Sequence, residues 1–364
     1  MCRCYPSLKK TINYFTRKGN TISIGVVDIA KAFDKVSIPS LLKLLIKKGI
    51  NPLIVRVLNA LLSSSSIVVH WNKNFSIPTH LSAGVRQGSV LSPFLFSIFI
   101  DSLLSKLQNS GYGCYCLKRC LNSIMYADDL VLISMTVTDL QNLFEICAKE
   151  LQNLELKLNY EKSHCLRIGP RFQIPCANIT VDSHIIKWTN SAKFLGASFQ
   201  SGKEFKGNWY EARCNFYKST NAILGKLGSP PPIDVALKLI TSKCLPMLMY
   251  GIATSEASSK EIAKSSFALN SVFFKLFGVK DKNEIAFIQY HCNVLDFPNL
   301  HSYYRLIFLN KLFLKKQIRN INSFDKDHFD ELNKLNARYK INTGVSKVAI
   351  KQCIWNYFSN MWNI

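Results

Sequence analysis

The hydrophobic pattern of this chain changes period several times over its first two hundred residues and then settles into helical spacing. Thr21 to Ile29 (TISIGVVDI) is a short β-branched run that predicts a buried strand with an aspartate near its end. Ser37-Ile38-Pro39-Ser40 offers a helix cap and a first-turn proline, and the leucines and isoleucine from Leu41 to Ile46 supply an apolar face that Gly49 stops. A second helix is expected from Pro52 to near Leu62, followed by a strand at Ile67–Trp71 with Lys73-Asn74 as its turn. Helical spacing returns from Ser92 to Leu107. SIMYADDLVLIS, residues 123–134, reads as strand, turn and strand around a central Asp-Asp pair. Next comes an amphipathic helix, capped by Thr138 or Asp139, in which Leu140, Leu143, Phe144, Cys147, Leu151 and Leu154 recur at helical spacing. Two further strands are expected near 163–168 and 193–199. The order β-α-α-β-α-β-β-α-β-β is an α+β pattern built round an antiparallel hairpin. Beyond Gln200 helices dominate, interrupted at Gly228-Ser-Pro-Pro-Pro232, which puts a domain boundary near 201 and a weaker one near 290.

Composition narrows the class. Of 364 residues 48% are apolar, enough for real cores, and 46 Lys+Arg face 23 Asp+Glu for a net charge of +23. So large an excess calls for a polyanionic partner, nucleic acid first. It is also uneven: in residues 1–127 sixteen lysines and arginines stand against only Asp28, Asp34 and Asp101. The longest apolar run, Val90 to Leu107, contains Pro93, Asp101 and Lys106 and falls short of the ~20 residues that cross a bilayer. The first twenty residues hold no apolar secretory core. An intracellular location, nuclear or cytoplasmic, and no membrane partner are the expectation. Among twelve cysteines, Cys114-x-Cys116-x3-Cys120 lacks the second half of a zinc site and His291-Cys292 stands alone, so reduced thiols are expected.

Acids that persist in so basic a field need a reason. Asp28 ends one predicted strand and Asp128-Asp129 occupy a predicted hairpin turn, so antiparallel neighbours in one sheet would bring them together. Close carboxylates repel unless divalent cations sit between them. Mg²⁺ takes oxygen ligands and leaves positions open for phosphate, and a pair of ions stabilises the attacking and leaving oxygens of an in-line phosphoryl displacement. Taken alone, an aspartate in a turn is more often a turn former than a ligand.

The company of these residues is more specific. In order along the chain stand Asp28-x4-Phe33-Asp34, Arg86-Gln87-Gly88-Ser89-x3-Pro93, Tyr126-Ala127-Asp128-Asp129, Leu158-Asn159-x2-Lys162 and Phe194-Leu195-Gly196. DIAKAFDKV, GVRQGSVLSPFLF, MYADDLVLIS, LKLNYEKS and KFLGASF resemble the successive palm motifs of the reverse transcriptases of non-LTR (LINE-like) retrotransposons. The likeness is strong over residues 10–200 and weaker to 300, where LITSKCLPMLMYGIATS resembles a thumb.

That resemblance implies a right-hand palm, an antiparallel sheet with packed helices, followed by a mostly helical thumb and a C-terminal extension. The implied divisions are 1–20 as a remnant of the fingers region, 21–200 as palm with a helical insertion over 38–66, 201–290 as thumb, and 291–364 as a basic helical extension. It implies RNA-directed DNA synthesis, with an RNA template, a DNA primer and dNTPs as partners and two Mg²⁺ ions, or Mn²⁺, as cofactors. Asp28 and Asp128 would hold the ions, and Asp129 would complete or orient the cluster. Phe33 matches a steric gate against a 2′-OH, although its residue type equally suits a core position. Gln87 and Gly88 match a turn beneath the template base and incoming nucleotide. Arg86 matches a template contact or a solvated arginine. Lys162 matches a general acid to pyrophosphate, a role that calls for a lowered pKa. Phe194, Leu195 and Gly196 resemble a hairpin that grips the primer end. Asp34 reads as a cap for the helix that follows rather than as a ligand. Tyr303, Tyr304, Arg305, Leu306, Phe308, Lys311, Phe313, Lys315, Lys316 and Arg319 form an aromatic-basic helix, either along a nucleic-acid backbone or ordinary core.

Only 27 residues precede Asp28, and CRCYPSLKKTINYF resembles the end of a fingers region, so an N-terminally truncated domain is expected. The alternative to a polymerase is a catalytically inactive remnant that only binds RNA or DNA. Nothing in the sequence addresses oligomeric state.

Overall fold

The computed structural model describes residues 4–116, 119–251, 257–319, 326–342 and 344–360, with side chains 119, 315–319 and 326–327 excepted. The chain divides into two compact units, residues 2–206 and 207–364.

The first unit is organised by β1 (Ile22–Val27), a six-residue strand buried along almost its whole length. Continuous apolar character is what a strand covered on both faces requires. β2 (Ser123–Tyr126) and β3 (Asp129–Ser134) form the expected hairpin, and β4 (His164–Ile168), β5 (Ile179–Val181) and β6 (His184–Trp188) complete a six-stranded sheet of order β5-β6-β4-β1-β3-β2. Each neighbouring pair is antiparallel except β4 with β6. Register puts Val27 of β1 opposite Leu130 of β3, and Val26 opposite His164 of β4.

Alternation along these strands divides the core in two. Ile22, Ile24, Val131, Ile133, Leu166 and Ile168 face α1 (Cys4–Arg17), which contributes Tyr5, Leu8, Ile12 and Phe15. Val27, Leu130, Leu132 and Cys165 belong to the opposite core with α2 (Ile38–Lys47), α3 (Pro52–Ser63), α4 (Ser92–Asn109) and α5 (Val137–Asn153). Gly25 lies on this face because α5 presses against the sheet there: a Cβ added at Gly25 would lie 2.5 Å from Cε2 of the buried Phe144. Gly25→Ala should therefore cost about 1–3 kcal/mol by overpacking. Urea unfolding checks it, and Phe144→Leu in the same chain should recover part of the loss.

Several expectations shift. α5 begins one residue before Thr138, and its cap is Thr136, whose hydroxyl accepts the Asp139 amide at 3.0 Å. The strand expected over Ile67–Trp71 is two short exposed ladders, Ser66–Ile67 with Thr79–His80 and His70–Trp71 with Asn74–Phe75. The single strand expected at 193–199 is a hairpin, β7 (Ser191–Phe194) and β8 (Ala197–Gln200), because Leu195 and Gly196 take positive φ angles of 51° and 74°. α1 and the hairpin pairing Cys114–Cys116 with Arg119–Leu121 were not foreseen.

The second unit is helical. α6 (Tyr210–Leu227), a bent helical run from Ile233 to Met249, α7 (Ser259–Phe277), α8 (Lys282–His291), α9 (Phe297–Arg319), α10 (Lys326–Tyr339) and α11 (Lys347–Ser359) enclose one apolar core. Ser258, Asp281 and Ser346 cap α7, α8 and α11 through side-chain oxygens. The aromatic-basic helix is largely core: Leu306 is buried, Phe308 and Phe313 pack against the core, and Arg305 is sealed against Glu331. Of its remaining cations, Lys311 is exposed, whereas the side chains of Lys315, Lys316 and Arg319 lie outside the described residues.

His301, one turn before Arg305, is pushed down to about 4 by burial and by the Arg305 charge, against an opposing pull from Glu331. The unfolded chain takes up this proton near the ordinary histidine value, about 6.5. Between the two values the unfolded state binds the extra proton, so stability is lost as pH falls through that window. The unfolding midpoint should drop more steeply between pH 6.5 and 4 in the wild-type chain than in His301→Gln, measured by thermal melts across pH.

Candidate active site

Strand register assembles the acids. Asp28 follows the last residue of β1, and because Val27 pairs with Leu130, it emerges beside Asp129, the first residue of β3. Ala127 and Asp128 form the β2–β3 turn, with Ala127 at φ 54° and Tyr126 paired with Asp129. One hundred residues of sequence are thus closed to one strand spacing by ladder hydrogen bonds.

The acids affect one another. The Asp129 carboxyl is held above its ordinary value, first because neighbouring protein displaces part of its water, then by the charges of Asp128 and Asp28. A hydrogen bond from the Leu195 backbone N–H opposes that shift by favouring the carboxylate. Asp28 is half-buried and Asp128 and Asp129 are exposed, and among the described residues none of the three forms an ion pair with lysine or arginine. In a chain of charge +23 that is an unsatisfied negative site.

The donor set is oxygen only. Among the described residues no group of three His, Cys, Asp or Glu is drawn together tightly enough to cage an ion. Mg²⁺ fits such a set, since it is held by one or two carboxylates, waters and substrate phosphates rather than by an all-protein cage. Zn²⁺, which prefers thiolate and imidazole, does not.

A second strand of chain supports Asp28 from below. Its backbone N–H donates to Ser163 Oγ at 3.0 Å, and its carbonyl accepts the Asn159 amide at 2.9 Å. Ala30 N–H donates to the Lys157 carbonyl at 2.9 Å, and Ile29 bridges Leu158. Lys162 lies in this stitched loop with its side chain exposed, and its backbone N–H donates to Asn159 Oδ1 at 3.3 Å. Ser163 was missed by sequence reasoning. A serine after the lysine carries no signal of its own, and only the fold shows it buried against a residue 135 positions away.

Phe33 sits in the turn after Asp28, half-buried, its ring stacked on Phe96 with centroids 4.8 Å apart and planes at 27°. The Phe33 carbonyl accepts the Val85 amide and the Val36 carbonyl accepts the Gly84 amide, both at 2.8 Å, so the segment carrying Arg86, Gln87 and Gly88 is zipped to the segment carrying Phe33. Gly84 must be glycine: φ is 96°, and a Cβ would come within 2.8 Å of the Asp34 carbonyl oxygen. Arg86, Gln87 and Gly88 are exposed, Gly88 at φ 86° with open space around it. Gln87 Nε2 donates to Asp34 Oδ1 at 3.2 Å. Asp34 is accordingly not the helix cap. α2 is preceded by Ser37, three residues later, and Asp34 instead ties the Gln87 loop to the Phe33 turn.

Leu195 and Gly196 form the tight β7–β8 turn that reaches Asp129. Phe194 is 1% exposed in the core beneath. Its ring anchors the hairpin and has no surface to offer a primer, which corrects the expectation of a direct contact there. Asp101, the remaining acid of the basic half, is spent on an exposed ion pair with Lys48 at 2.6 Å.

The chain as a whole is similar to known proteins. A family model described as reverse transcriptase (RNA-dependent DNA polymerase) matches residues 4–199. The chain is 27% identical over 248 residues to a retrovirus-related Pol polyprotein from type-1 retrotransposable element R2 of Popillia japonica, covering 65% of this chain and 39% of that protein. It is 28% identical over 239 residues to a probable RNA-directed DNA polymerase from transposon BS of Drosophila melanogaster, covering 62% of this chain and 25% of the other. It therefore spans well under half the length of these relatives. Among solved structures, apo telomerase from Candida tropicalis aligns at 11% identity with a TM-score of 0.45, over 92% of this chain and 57% of that one.

Proposed function

The chain belongs to the reverse transcriptase (RNA-dependent DNA polymerase) family, and on that footing we propose that it is the polymerase part of a non-LTR retrotransposon protein, copying an RNA template into DNA from a primer 3′-OH. The observation that carries this reading is the pairing of β1 with β3, which sets Asp28 beside Asp128-Asp129 with no basic partner among the described residues. In the proposed reaction the primer 3′-OH loses its proton to water as its oxygen bonds to the α-phosphorus of a dNTP, the bond from that phosphorus to the oxygen bridging to the β-phosphate breaks, and pyrophosphate leaves. Asp28 and Asp128 would hold two Mg²⁺ ions, which supply charge stabilisation for the entering and departing oxygens. Asp129, fixed by the Leu195 amide, orients that cluster. Lys162, on the loop stitched to Asp28, would give a proton to the leaving pyrophosphate. The Phe33 ring, braced by Phe96, would close the space beside the sugar. Gln87 and Gly88 line the path of the nucleotide and template base, and Arg86 adds a phosphate contact.

Primer extension with purified chain, an RNA template, dNTPs and Mg²⁺ tests the reading. Metal-dependent extension supports it. No extension, with salt-sensitive RNA binding retained, would leave a nucleic-acid-binding role instead. Under the same conditions Phe33→Val should raise incorporation of ribonucleotides relative to deoxynucleotides by about tenfold or more, because the wild-type site rejects the extra hydroxyl by shape. An unchanged ratio would return Phe33 to the core.

A further inference from the structure

α3 carries the sequence PLIVRVLNALLS, which is apolar on both sides. A helix with that pattern belongs in contact on both sides. Only one is covered: Val55 and Leu62 are buried, whereas Leu53 is 67%, Val57 67% and Leu61 53% exposed. Across from them the start of α4 leaves Phe94 64% exposed, preceded by Val90 at 94%. Between the two helices runs a groove of ≈ 520 Å³ whose lining residues are all apolar. An exposed apolar surface of this kind on a folded body marks a contact site.

Its surroundings say what fits. From residue 35 to residue 100 there are five lysines and two arginines and no aspartate or glutamate. Lys47 lies between the groove residues Leu45 and Ile50 and Arg56 adjoins Val57 on α3, both exposed, while Lys48 beside Lys47 is already paired with Asp101, the next acid along the chain. A second copy of this chain would set these same cations against themselves. A nucleic acid would satisfy the cations and would find walls of leucine, isoleucine and valine, with Phe94 as the one aromatic surface for stacking. An amphipathic helix satisfies both features. Its apolar stripe fills a groove between two helices, and carboxylates flanking the stripe meet the basic rim.

We propose that the α3–α4 groove is a docking site for an acid-flanked amphipathic helix of a partner polypeptide. Binding should be measured by fluorescence anisotropy with the full chain and a labelled 20-residue synthetic peptide having leucine at helical spacing and glutamate on both flanks. A version with lysine flanks is the control. The glutamate peptide should bind at least tenfold more tightly than the lysine peptide at low salt, and should weaken as salt rises. Val57→Glu and Phe94→Ser should each reduce affinity at least tenfold. Both positions are solvent-exposed, so the fold should persist, which circular dichroism checks. Leu53→Ser provides a third variant should either misfold. Hydrogen exchange should slow over residues 52–63 on binding. Equal binding of the two peptides, binding indifferent to the groove variants, or no binding would overturn the proposal. So would concentration-dependent dimerisation abolished by Val57→Glu, or protection of the groove by a single-stranded RNA oligonucleotide, since these assign the groove to other occupants.

Discussion

Asp128→Asn should abolish RNA-templated primer extension, lowering the rate by about 10³-fold or more, while leaving the chain folded and able to bind RNA. The size follows from the division of labour in phosphoryl transfer, where charge stabilisation and positioning supply nearly all the rate. Asparagine keeps the shape of the turn and one oxygen but removes the charge that would hold a divalent ion. Ladder pairing across β2 and β3 does not involve the Asp128 side chain, so no structural loss should accompany the change. A small rise in thermal midpoint should appear instead, because Asp128 is one of the charges that hold the Asp129 carboxyl above its ordinary value. A gain in stability beside a loss of activity is the signature of a site that tolerates repulsion for its chemistry. Extension rates of wild type and variant at equal RNA occupancy, with melting curves of both, check the pair of outcomes. Activity within tenfold of wild type would remove Asp128 from the reacting centre.

Glu331→Ala should be the most damaging change in the helical unit. Arg305 is 1% exposed, and its guanidinium forms two parallel hydrogen bonds to the Glu331 carboxylate, one of them at 2.8 Å from Nε. Removing Glu331 takes both of these charge-assisted hydrogen bonds from a buried guanidinium, and mutational losses at buried ion pairs run to about 3–5 kcal/mol. Glu331 is itself 26% exposed, so water can enter in its place and the lower end of that range is expected. The double variant Arg305→Met/Glu331→Leu should recover most of the loss, since replacing both members of a buried pair with apolar groups costs little. Chemical denaturation of wild type and both variants separates loss of the ion pair from a simple loss of packing. If the single and double variants fall equally, the pair was not the source.

The legibility of the site varied with how local its determinants were. Asp28 and Asp128-Asp129 could be found because acids are rare in that half and because the β-branched runs on either side announce strands. The hairpin at 123–134 and the helices at 38–47 and 52–63 could be read for the same reason, since apolar period and proline position are local signals. Phe194 was misjudged because a motif fixes residue order and says nothing of which side chain turns inward. In β7, Ala192 and Phe194 alternate into the core, which leaves only the Leu195-Gly196 turn to reach the acids. Asp34 was misjudged because a helix that starts at Ile38 leaves it too far upstream to cap, and a partner in Gln87 is visible only after the chain has folded back.

What the amino-acid sequence determined by itself was the inventory: a basic chain, a short list of acids in strand-and-turn settings, and the motif order that identifies the family. Those are properties of composition and of neighbours a few residues apart. What only the tertiary structure decided was adjacency. The Val27–Leu130 register brings the aspartates together, Ser163 holds Asp28 from behind, and one apolar face of α3 is left open while the other is covered. Each of these depends on contacts between segments tens to more than a hundred residues apart, which are set by how whole faces pack.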